Sequence, residues 1–278
     1  MVLQAGSCFS LHFGFWCFAY LEAPASCCFS GQQSTSDVMP EKVADALARR
    51  SAQRQATFVL PYLRPGRSLL DCGCGPGSIT CDIARLTVPG KVIGVDANPA
   101  QIERASAHAL ADHISNVTFQ TASVYELPFP NAHFDVVFAH ALFQHLADPD
   151  RAMTEMCRVL VPNGIIALRS PDWGGLLIAP RTADLTRAME SFLRVYYADG
   201  DAFAGSNGPS LLRRVGVAEV TFTTTVEREE PSGLGEFAAA KLTVPELASE
   251  AACLRAWARN PDALFVQVWG EVVGRWPS

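Results

Sequence analysis

"LLDCGCGPGSIT", residues 69–80, sets an aspartate and three glycines directly behind a short apolar run. A run of this length bounded by glycine reads as a buried strand entering a turn. Gly73, Gly75 and Gly77 carry no Cβ, so a nucleotide-like ligand can lie close against their backbone. Their spacing bears on which ligand. A dinucleotide fingerprint places its third glycine three residues after the second; here Ser78 stands at that position and the glycines recur at every second residue. Asp71, ahead of the first glycine, would sit poorly beside a pyrophosphate but well beside the ammonium of a methionine moiety.

Outward from this loop the chain alternates strands and helices. Residues 67–72 lead into the loop as a strand and 78–87 follow it as a helix. Then come a strand over 91–96, a helix over 99–112 and strands over 117–122 and 134–140. A helix over 149–160, begun by Asp148 and Pro149, precedes a fifth strand over 165–170. Upstream, 41–62 reads as a helix with Val43, Leu47, Phe58, Val59 and Leu63 as core candidates. Downstream the alternation loosens. Helices are predicted over 182–197 and 208–215, and strands over 217–226 and 264–273. The pattern predicts an α/β fold: a Rossmann-like doubly wound sheet, mostly parallel with an antiparallel last strand. A small helical cap is expected from about 171–215 and 227–262, over ligand loops at the carboxyl ends of the strands.

Composition narrows the partners. With 22 basic against 28 acidic residues and no basic stripe, the chain lacks the charge that drives most nucleic-acid binding. The nine cysteines form no paired CxxC units and no cysteine–histidine cluster at zinc spacing, so no metal site is expected. They read as reduced thiols of a cytoplasmic protein. The apolar stretch 8–21 is too short to span a bilayer, and no lysine or arginine precedes Lys42 as a secretion signal would need. Residues 1–38 are expected to be an extension, disordered or a non-native start with Met39 as the natural one, without stable membrane insertion; the alternatives are a membrane- or partner-contact segment and a secretion signal.

The pieces "LLDCGCGPGSIT", "VIGVDANP", "ASVYELPFP", "FDVVFAHALFQHL", "DPDRAMTEMCRVLVPNGIIALRS" and "PDWGG" stand in register. In order and spacing they resemble the class I S-adenosylmethionine-dependent methyltransferases, in particular the ubiquinone/menaquinone methyltransferase-like (type 11-like) group. The resemblance implies S-adenosyl-L-methionine as cofactor and S-adenosyl-L-homocysteine as product. It implies that Asp71, Gly73, Cys74, Gly75 and Gly77 surround the methionine end, that Asp96 grips the ribose, and that Ala97, Asn98, Ser123 and Val124 flank the adenine. The group usually carries an aspartate where Ser123 stands, so the bond to the adenine amino group would be to a neutral partner. His140, at the end of the fourth strand, is implied to face the cofactor or the reacting centre, and Arg50 matches an arginine of the group's first helix and is implied to approach the cofactor carboxylate.

Methyl transfer needs near-attack geometry first, and a base only for weakly acidic nucleophiles. His140 and His145 in "HALFQHL" are the candidate bases, each set against a packing role. Asp172 and Trp173 follow the fifth strand and, with Tyr196 and Tyr197, are candidate substrate contacts. Phe203, Trp257 and Trp269 are further candidates for an apolar cavity wall. The expected acceptor is a small, apolar or aromatic metabolite of the kind met in secondary metabolism. The alternative is a domain that binds the cofactor without consuming it, as a cyclase-like scaffold or a binding subunit. A nicotinamide-dependent reductase fails on the glycine spacing and on Asp71. The acceptor, the methylated atom and whether the chain forms a homodimer stay open.

Overall fold

The computed structural model describes residues 50–278; the extension 1–38 and the core candidates Val43 and Leu47 lie outside them. Seven strands form one sheet: β1 (Leu69–Cys72), β2 (Val92–Asp96), β3 (Val117–Thr121), β4 (Phe134–His140), β5 (Leu160–Ala179), β6 (Ala218–Glu229) and β7 (Leu264–Arg275). Their order is β3-β2-β1-β4-β5-β7-β6. β1 to β5 pair in parallel, and β7 runs antiparallel to both β5 and β6. The expected doubly wound sheet with an antiparallel last strand is what the chain forms.

The helices are α1 (Ala52–Gln55), α2 (Ser78–Thr87), α3 (Pro99–Ala111), α4 (Pro149–Arg158), α5 (Ala183–Tyr196), α6 (Ala204–Arg214), α7 (Pro231–Lys241) and α8 (Ala248–Ala258). Local chemistry starts several of them. Asn98 accepts the Ala100 N–H and Asp148 the Arg151 N–H, each with proline at the first helical position, where no N–H is needed. Thr182 caps α5 through the Leu185 N–H. On one face of the sheet, α1 to α3 enclose Leu69, Val92, Val136, Phe138 and Ile165. On the other, α4 and α6 enclose Leu70, Val137, Ile166, Leu168 and Val272. A third apolar cluster, built on Leu185, Met189, Phe192, Ala238, Leu254 and Trp257, joins α5, α7 and α8 over Phe265 of β7.

Three expectations change. The described part of the helix expected over 41–62 is broken into α1 and a 3-10 turn at Leu60–Tyr62. Pro61 has no N–H to continue an α-helix back to Thr57. β5 reaches Ala179 instead of ending at 170, because β7 pairs with both its halves across a bulge between Asp172 and Leu177. α6 begins at Ala204 and packs on the sheet, so the cap segment expected over 171–215 contributes α5 and the side chains of Trp173, Leu176 and Ile178, but not α6, to the separate helical cluster.

Candidate active site

Asp71, Asp96, Thr121, His140 and Glu229 all stand at the carboxyl edge of the sheet, since β1 to β4 and β6 run the same way. Between β1 and α2 the loop holds Gly73, Gly75 and Gly77 at φ of +74°, +53° and +79°. The two outer glycines face protein: a Cβ on Gly77 would lie 2.7 Å from Ala105 Cβ, and one on Gly73 would lie 3.0 Å from Leu142. A Cβ on Gly75 would meet nothing within 4 Å. Gly75 is thus the open point of the cradle. Gly77→Ala is expected to lower stability by roughly 2–4 kcal/mol through the left-handed backbone and the clash. Gly75→Ala should cost only about 1 kcal/mol, and thermal unfolding of the two variants checks the contrast.

Asp71 lies beneath this loop, 2% exposed. Thr80 Oγ1 donates to its Oδ2 at 2.6 Å. Burial pushes its carboxyl from 3.8 up to about 7, with Asp96 adding to the rise and Thr80 opposing it. Asp96, half-buried, accepts the Gly75 N–H at 3.0 Å on one oxygen and the Asn98 N–H at 2.9 Å on the other. A carboxylate has about four acceptor positions, so each oxygen keeps one free. Ala97, Asn98 and Ser123 are exposed and Val124 is half-buried. Ser123 Oγ accepts the Tyr125 N–H, which closes the turn after β3. Burial raises the Cys72 and Cys74 thiols, which stay protonated and act as small packing groups.

His140 closes β4. Its Nε2 lies 3.0 Å from Nη1 of Arg169, and its ring stacks on Trp269 with centroids 5.2 Å apart. A guanidinium only donates, so Nε2 is an acceptor and the ring is neutral. Burial and the charges of Arg50 and Arg169 hold its pKa well below the ordinary histidine value. With that lone pair occupied, Nε2 is not free to take a proton from an acceptor, which counts against the expected role of His140 as a base. Arg50, half-buried, has Glu229, Arg169, Glu227 and Tyr196 as its electrostatic neighbours, and no group of the glycine loop among them.

On the cap side, His145 stacks on Tyr197 at 5.8 Å and meets Tyr196 edge-on at 5.6 Å. It is open to solvent yet so hemmed in that desolvation pushes its pKa down to about 4. Glu229 is likewise exposed but desolvated, and its pKa is raised. Tyr196 and Tyr197 are half-buried beside His145, and Trp173 donates from Nε1 to Tyr197 Oη at 2.9 Å. Asp172 belongs elsewhere. Its two carboxylate oxygens accept the backbone N–H groups of Gly174 and Ser206, both at 2.9 Å, so it fastens β5 to the start of α6. Trp257 donates to the Ala179 carbonyl from within the helical cluster, and Phe203 lies exposed beside Gly174.

The profile of a family described as a methyltransferase domain matches residues 63–204, just over half of the chain. The chain belongs to that family. It is 32% identical over 182 residues to the 27-O-demethylrifamycin SV methyltransferase of Amycolatopsis mediterranei, covering 65% of this chain and 56% of that protein. It is 30% identical over 158 residues to the ubiquinone/menaquinone biosynthesis C-methyltransferase UbiE of Vibrio vulnificus, covering 55% and 60%. Matches to such curated relatives span roughly half to three fifths of their length. Among solved structures, the YcgJ protein of Bacillus subtilis superposes with a TM-score of 0.62 at 18% identity, covering 81% of this chain and 99% of that one. That likeness speaks to the fold.

Within this methyltransferase domain the sequence reading passed over one constellation. Arg169, with no exposed surface, donates from Nε to Glu271 at 3.0 Å and from Nη2 to Glu227 at 2.7 Å and Thr225 at 3.2 Å. Its guanidinium carbon stands 4.2 Å from the Trp269 ring centroid. An arginine inside the apolar run "IIALRS" and a glutamate inside "VQVWGEVV" were the available signal: each charge within a buried strand calls for a partner. Among the described residues no cluster of His, Cys, Asp and Glu is arranged to hold a metal ion, and no helix is long and apolar enough to cross a membrane.

Proposed function

We propose that the chain transfers a methyl group from S-adenosylmethionine to a small-molecule acceptor by in-line displacement, leaving S-adenosylhomocysteine. The observation that carries this reading is Asp71, a buried carboxyl under an open glycine loop, with no cationic side chain among the groups that shift its pKa. Such a group favours a ligand that brings its own positive charge, and the methionine ammonium is one. Gly75 leaves room for the methionine end, and the two free acceptor positions on Asp96 suit the paired ribose hydroxyls. Ala97, Asn98, Ser123 and Val124 stand where the adenine would lie. When bound, the cofactor supplies an electrophilic methyl on a sulfonium. The chain's own part is to orient the acceptor and to exclude water.

The acceptor's place would be beside the aromatic group of His145, Tyr196 and Tyr197. Its aromatic wall fits an apolar or aromatic metabolite, in keeping with relatives named for rifamycin and for quinone biosynthesis. A cytoplasmic site of action fits the unpaired thiols Cys72, Cys74, Cys81, Cys157 and Cys253. Calorimetry should show S-adenosylmethionine binding and no comparable NADH binding; the reverse would overturn the reading. Asp96→Ala should weaken the cofactor by about 10-fold to 100-fold, as loss of a charge-assisted hydrogen-bond partner does. Incubating the protein with methyl-labelled cofactor and a metabolite extract tests turnover, read as S-adenosylhomocysteine by mass spectrometry. Absence of that product would turn the reading toward a domain that binds the cofactor without consuming it.

A further inference from the structure

We infer that Arg169 is a positioning residue for the reaction at this site: by occupying His140 Nε2 it holds that ring uncharged and in one tautomer at the end of β4. The inference rests on the methyltransferase reading for its purpose, but its physical content belongs to the free protein. β4 lies next to β1, whose loop forms the cradle, so His140 borders the place where the sulfonium would lie. An imidazolium there would set a second cation against the cofactor. A ring whose Nε2 already accepts from a guanidinium cannot become one without displacing it.

The groups around the ring come from every neighbouring element. Arg169 approaches from β5 and Arg50 from the segment before α1, while Trp269 of β7 covers a ring face. Behind Arg169 stand Glu271 of β7 and Glu227 of β6, with Glu229 in electrostatic reach of both arginines. The carboxylates orient the guanidinium, and the guanidinium orients the histidine. Thr223 and Thr225 donate to Glu271 at 3.3 and 3.0 Å and complete the set. Burial and Arg50 also disfavour a charged ring, and removing Arg169 frees Nε2 while leaving Glu271 and Glu227 without the cation they now hold.

The test is a histidine NMR titration of the full chain with ring-labelled histidine, the His140 signal being the one lost in His140→Gln. In the native protein that signal should stay unmoved between about pH 5.5 and 8, across the range where a free histidine titrates near 6.5. Arg169→Met should bring a titration into that window, and Arg169→Lys, still an obligate donor, should keep the signal unmoved. An ordinary titration of His140 in the native protein overturns the inference, and this holds even where Arg169→Met fails to fold. So does an Arg169→Met protein whose His140 signal stays still. Cofactor binding by calorimetry is a separate measurement: if it fails while His140 stays neutral, the methyltransferase reading falls and the positioning does not.

Discussion

Asp71→Asn is expected to make the free protein more stable and its hold on S-adenosylmethionine much weaker. Lifting a carboxyl from 3.8 to about 7 corresponds to roughly 4 kcal/mol of unfavourable free energy when the group is ionised at pH 8. The sign follows from linkage. An unfolded Asp71 titrates near 3.8 and the folded one near 7, so the fold is favoured below the first value and loses that advantage as pH rises through the second. Asparagine removes the charge and still accepts from Thr80 Oγ1, although its new amide protons need a partner. A net gain of about 1–2 kcal/mol at pH 8 remains, a rise of a few degrees in melting temperature for a domain of this size.

Binding moves the other way. A cationic ligand draws the Asp71 carboxyl back toward ionisation, so native affinity should level off above about pH 7 and fall as pH drops below it. In Asp71→Asn the affinity should drop at least ~30-fold at pH 8, in line with losing one partner of a desolvated charge pair. Its pH dependence should flatten. Thermal unfolding and calorimetry at pH 6 and pH 8 read both halves. A variant that loses stability and keeps its affinity would show that Asp71 serves the fold alone.

What was legible in the sequence is local. The helix after the glycine loop, the proline-led starts at Asn98 and Asp148, and the strand ends at Asp96 and His140 fall where their own neighbours dictate. The parts that escaped are set by distant pairing. β5 continues past Ser170 because β7, almost a hundred residues later, pairs with it as far as Ala179. Asp172 looks like a ligand-facing carboxylate until Ser206 N–H, 34 residues on, is found against it. Arg169 meets Glu227 58 residues away and Glu271 102 residues away. Side chains that match a local pattern were placed well; those whose meaning depends on a non-local partner were not.

Arg169 is also where the largest loss of stability is expected. Its Nε, Nη1 and Nη2 are engaged by Glu271, His140, Thr225 and Glu227, and a tryptophan ring packs near its guanidinium. Arg169→Met keeps much of the side-chain volume but strands two carboxylates, Glu271 buried and Glu227 half-buried, without their shared cation. Breaking a buried pair in this way costs about 3–5 kcal/mol, which lowers the melting temperature by on the order of 10 °C. Glu271→Gln added to Arg169→Met should restore at least ~1 kcal/mol, although Glu271→Gln alone destabilises the native protein. A double variant whose loss equals the sum of the two singles would mean that Arg169 and Glu271 act independently. The tie between β5 and β7 would then lie in the backbone pairing of those strands, and not in their charges.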